Sequence, residues 1–148
     1  MANRIHSKGS FRQEEIVAGG AGIYPGMLLT RGATGVVVHA TEGGRHEKMF
    51  ALEDALQGHT VDTVYTSGDI VFCIMPNVGS EVYALLEDGQ NVVVGQELIS
   101  AGNGKLKALS DLESGETASE IVGVAAEAKD LTGSNTADTL IRVSIVAS

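Results

Sequence analysis

The sequence predicts a mainly β protein, a small barrel- or sandwich-like body with one or two short helices and an extended N-terminal arm. Three observations carry this. The chain holds 19 glycines against 2 prolines, a composition suited to many tight turns. Its apolar residues fall in short runs rich in valine, isoleucine and leucine, separated by glycine turns, which is the pattern of closely spaced strands. The segment Gly79–Lys107 shows this most clearly. There Val82, Ala84 and Leu86 alternate with Tyr83 and Leu85, Asp88-Gly89 makes a turn, Val92–Val94 and Leu98-Ile99 follow, and Gly102-Asn103-Gly104 makes another turn. Asp-Gly and Asn-Gly tolerate the positive φ that tight hairpins require.

The elements follow in order. Residues 1–22 are polar and then glycine-rich, and read as a flexible arm that is loose alone and ordered by a partner. Residues 23–148 form the β-rich domain, opened by Pro25-Gly26. Met27–Thr30, Val36–Thr41 and Lys48–Leu52 read as strands, with Arg31–Gly35 a turn and Thr41–His46 a loop. Glu53–Gly58 reads as one helical turn, with glycine at its C-terminal cap. Val61–Tyr65 reads as a further strand, and Ser67-Gly68-Asp69 turns into the apolar run Ile70–Met75. Past Lys105–Leu109, Ser110–Ser119 is a polar loop. Ile121–Ala125 is read as strand over short helix, and Leu140–Val146 is the last strand.

A chain of 148 residues is read as one domain, long enough to bury a core without disulfide or metal. The single Cys73 lies in the apolar run Ile70–Met75, where a buried structural thiol is the expectation, since thiolates need electropositive, accessible surroundings. The net charge of −9 is unevenly placed. Arg4, Lys8 and Arg12 against Glu14 and Glu15 leave the first fifteen residues at +1, so the rest carries −10. An acidic body with no tryptophan argues against a direct nucleic-acid partner, which needs clustered cations and stacking platforms. No apolar run reaches the length of a membrane span, and the N-terminus lacks the apolar centre of a signal peptide, so synthesis in a cytoplasm is expected.

Candidate chemistry is sparse. His39, His46 and Glu47 are the nearest approach to a metal cluster, but their spacing is not the one-turn spacing of a zinc protease helix, and ordinary loop and strand roles are the default. Ser67, Ser80, Ser100, Ser110 and Ser114 are all read in turns, none in a nucleophile elbow. Asp54, Asp62, Asp69, Glu81, Glu87 and Asp88 border turns, where solvated carboxylates are the default. Gly19–Gly26 has neither the Lys-Ser/Thr ending nor the preceding strand of a phosphate loop. No catalytic residue, metal or cofactor is assigned.

Two resemblances bear on function. The stretch Asp88-Gly89, Val92, Gly95 and Leu98 up to Lys105 resembles the approach to the modified lysine of lipoyl and biotinyl carrier domains, which would make Lys105 a modification site. The Gly-Asn-Gly before Lys105 and the Lys107 after it depart from that family's pattern. From Ile23 to the C-terminus the sequence resembles capsid decoration (cement) proteins of tailed bacteriophages. The residues are Tyr24-Pro25-Gly26-Met27-Leu28, Lys48–Asp54, Tyr65 with Gly68-Asp69 and Val71-Phe72, Gly79–Leu86, Gly89-Gln90 and Val92, Gly102–Leu106, Ile121–Ala128 and Ile141-Arg142-Val143. This second resemblance implies a β-tulip-like virion protein without enzymatic activity. It would bind the outer face of the expanded capsid, commonly as a homotrimer, and staple neighbouring major capsid subunits against internal DNA pressure. The arm would reach a neighbouring subunit, with Arg4, Ile5, Phe11, Arg12, Ile16 and Val17 as the contact residues, and deleting residues 1–17 is expected to leave a folded body that no longer binds capsids. Another head or tail structural component is the remaining alternative.

Overall fold

The computed structural model describes residues 4–112, 117–118 and 120–147. Its strands are β1 (His6–Lys8), β2 (Phe11–Val17), β3 (Leu28–Arg31), β4 (Val36–Val38), β5 (Met49–Ala51), β6 (Ile70–Pro76), β7 (Glu81–Leu86), β8 (Asn91–Val92), β9 (Glu97–Ser100), β10 (Leu106–Ala108), β11 (Gly123–Ala125), β12 (Lys129–Asp130) and β13 (Thr139–Ile145). Among the described residues helix is confined to two 3₁₀ turns, Ala55–Gln57 and Leu109–Asp111. The mainly β reading therefore holds, and the helical turn ends at Gly58 as the sequence suggests.

The strands form two small rings. The first runs β2-β6-β5-β3-β4 and closes where Ala18 bridges Val36 in parallel, with the Gly19 N–H donating to the Val36 carbonyl at 2.8 Å. Gly35 makes this closure possible. A Cβ there would sit 2.2 Å from the Val17 carbonyl oxygen, and its φ of +146° disfavours any side chain. The second ring runs β7-β10-β9-β11-β13 and returns to β7 through a six-pair antiparallel ladder, Thr139–Ser144 against Glu81–Leu86. Closure removes the edges of the second sheet, whereas in the first it joins only Ala18 to Val36 and leaves β2 without a second partner along Phe11–Val17 among the described residues.

Strand alternation divides the apolar residues between two cores. Leu29, Met49, Ala51, Val71 and Cys73 face the core of the first ring. Leu28, Phe50 and Ile74, one row across β3, β5 and β6, face the other way and join Val82, Ala84, Leu98, Ile141 and Val143 in the second core. The two rings thus share a layer, which welds them into one body.

The N-terminal segment is extended, as expected, but it is not loose. β1 pairs with β7, and β2 pairs with β6 over all seven of its residues. Ile5 is fully buried in the second core, its carbonyl accepting from the Tyr83 N–H at 2.7 Å. Removing residues 1–17 would therefore take two paired strands and a core side chain from the body. Two strand readings are also corrected. Of Val61–Tyr65 only Tyr65 pairs, as a single bridge to Ile23, and Val93 and Val94 lie exposed in a turn beyond β8. Both are short apolar runs that could be strand or turn by pattern alone. The loop read over Ser110–Ser119 falls partly outside the described residues, as does Ser114.

Candidate docking surface

The residues expected to make contact at the N-terminus separate by burial. Arg4, Arg12 and Val17 reach the surface, Phe11 and Ile16 are half-buried, and Ile5 is a core residue with no surface to offer. The Phe11 ring packs edge-on against His6 at 4.5 Å and against the second core, while Ile16 packs against the first. The Arg12 guanidinium lies on β6 and donates to Met75 Sδ at 3.0 Å.

β2 is the edge of its sheet. The Ser10 carbonyl accepts from Asn77 and the Ala18 N–H donates to Asp69, so the even-numbered positions face β6. The backbone groups of Phe11, Gln13 and Glu15 turn away from it, and no second strand pairs with β2 along Phe11–Val17 among the described residues. A row of open N–H and C=O groups results, flanked by charged side chains that discourage indiscriminate pairing. Arg31 secures the nearby ring by reaching Glu47 at 2.8 Å and Glu14 at 2.5 Å. Both carboxylates raise its pKa.

The histidines form a structural cluster. The His39 and His46 rings meet edge to face at 5.6 Å, whereas Glu47 turns away to Arg31. His39 Nε2 donates to the Arg45 carbonyl at 2.8 Å, so its Nδ1 accepts from the Ser100 hydroxyl at 2.6 Å. Ser100 is buried in β9, not in a turn as its sequence neighbourhood suggests. His46 Nδ1 accepts from the Lys48 N–H at 3.1 Å, which leaves the proton on Nε2, buried and without a partner among the described residues. Burial lowers the His46 pKa to about 4 against the opposing pull of Glu120. Among the described residues no three His, Cys, Asp or Glu side chains converge as a metal site requires. Cys73 is buried, and burial pushes its thiol up to about 12.

Lys105 follows the Gly102–Gly104 turn between β9 and β10, yet it does not project freely. Its Nζ lies 2.7 Å from Asp138 Oδ2, and its side chain is 24% exposed. Burial raises the Asp138 pKa, but Lys105 and the Asp88 N–H outweigh it and hold the carboxyl below its usual range. This pair borders a groove between Tyr24–Met27 and the outward face of β7 and β13. Sequence reasoning missed the groove. Its signal was Leu85 and Leu140, apolar residues on a face where alternation calls for polar ones.

No protein-family model matches this chain, and no curated protein is significantly similar to it. Among the described residues no helix is long and apolar enough to cross a membrane.

Proposed function

We propose that this protein is a structural virion component that binds the outer surface of an expanded phage capsid and staples neighbouring major capsid subunits. The observation that carries the reading is the open edge of β2. Among the described residues its outer backbone edge has no strand partner along Phe11–Val17, and Arg12 and Val17 are exposed on it. Such an edge accepts a strand from a partner, with main-chain hydrogen bonds providing affinity and the flanking charges selecting the partner. The family resemblance from Ile23 onward supports the same reading. The N-terminal segment would act as a built-in edge of the body and not as a trailing arm. Binding without catalysis is consistent with candidate groups that are engaged structurally: His39 with Ser100, Glu47 with Arg31 and Lys105 with Asp138. Trimeric assembly on the shell would multiply a modest contact through avidity.

The test mixes purified protein with expanded capsids lacking it, sediments them and counts bound copies. Saturable binding of many copies per shell is the expected result. A handful of copies would indicate a vertex or portal component, and no binding would overturn the reading.

A further inference from the structure

The groove beside Lys105 encloses about 690 Å³, within the range of built binding sites. Its floor is the outward face of the β7–β13 ladder, where Leu85 and Leu140 stand opposite each other. Its wall is the Tyr24–Met27 segment, which runs along the edge of β7 opposite β13. The Leu85 N–H donates to the Gly26 carbonyl at 3.0 Å, and a Cβ on Gly26 would meet Leu140 at 2.5 Å. The groove is therefore preformed, and Tyr24, 43% exposed, stands at its mouth.

The polar groups at the rim indicate the occupant. Lys105 and Asp138 neutralise each other, which leaves Asp62 and Glu127 against Lys129, on a chain of net charge −9. We propose that this groove receives an extended segment of the partner protein, an apolar or aromatic side chain flanked by basic residues. The apolar side chain would cover Leu85 and Leu140, and the basic flanks would meet Asp62 and Glu127. The identity of that partner as a capsid subunit rests on the reading above. The groove shares no residue with β2, and a staple requires two separate contacts.

The experiment titrates isotope-labelled full-length protein with the peptide acetyl-Lys-Leu-Tyr-Leu-Lys-amide and, separately, with its counterpart bearing glutamate at both ends, following amide shifts by NMR. The expected result is saturable shifts at residues 24–27, 83–85 and 138–140, several-fold tighter binding of the basic peptide at low salt, and loss of both effects in the Tyr24→Ala/Asp62→Lys variant, whose remaining spectrum confirms its fold. Absence of localised shifts at millimolar peptide, or equal affinity for both peptides, would overturn the proposal. The same variant is then sedimented with capsids. Peptide binding by wild-type protein that ignores capsids would leave the groove standing and remove the capsid reading. Capsid binding unchanged in the variant would remove the groove from the docking surface.

Discussion

At the scale of single residues, two positions control much of the body's behaviour. Gly35 closes the first ring, and its backbone touches the chain at Val17 so closely that a methyl group must displace one strand or the other. Gly35→Ala is expected to cost about 1–3 kcal/mol or more, read as a fall in urea midpoint with little change in slope. An unchanged midpoint would mean that the ring does not close as described. His46 gives the second prediction. Its pKa of about 4 lies below the ordinary 6.5 because burial disfavours the cation. The unfolded chain therefore binds more protons than the folded one between those two values. Stability from this residue is complete above about pH 6.5 and declines as pH falls toward 4. Allowing for solvent screening at a partly exposed ring, about 1–2 kcal/mol should be lost across that window. Denaturation of wild type and His46→Gln at pH 7 and pH 4.5 checks this. The variant should show a flatter dependence, and parallel curves would assign the acid sensitivity elsewhere.

Elements were legible from the sequence where a strand carried its own alternation or apolar run. β6 and β7 fall almost where Ile70–Met75 and the Val82–Leu86 pattern place them, because one face or both must be buried. β2 was not legible. Phe11–Val17 reads FRQEEIV, in which the four central polar residues break any alternation between Phe11 and Ile16-Val17, and it is held by pairing with distant Ile70–Pro76. Tertiary pairing overrode local composition, as it did for Ile5, one apolar residue among polar neighbours that fills the second core. The candidate site was illegible for a related reason. It needs Tyr24, Leu85 and Asp138 together, and only the fold joins them. The burial of Ile5 leads to a prediction at this scale. Ile5→Ala should destabilise the whole body by about 2–5 kcal/mol through the cavity it leaves. Removal of residues 1–17 should expose both cores and abolish the cooperative thermal transition. A truncated protein that melts like the full chain would restore the loose-arm picture.

For the whole molecule, the proposed role raises the question of how a compact body would recognise a shell without an arm that folds on contact. Two closed rings sharing a layer leave little conformational entropy to lose on binding, so a small contact can suffice. On that proposal β2 would concentrate the contact on backbone groups, and a backbone edge can be blocked without touching its side-chain packing. Gln13 is suited to this. Its N–H points away from β6, so proline there removes no bond of the β2–β6 ladder while deleting a donor from the open edge. Gln13→Pro is expected to keep a cooperative melt within about 1–2 kcal/mol of wild type, the cost of adjusting φ. Bound copies per capsid in the sedimentation assay should nevertheless fall at least tenfold. Gln13→Ala, which keeps the N–H, should bind as wild type does. If both variants bind equally well, the edge is not the docking element. If both lose binding, the side chain and not the backbone makes the contact.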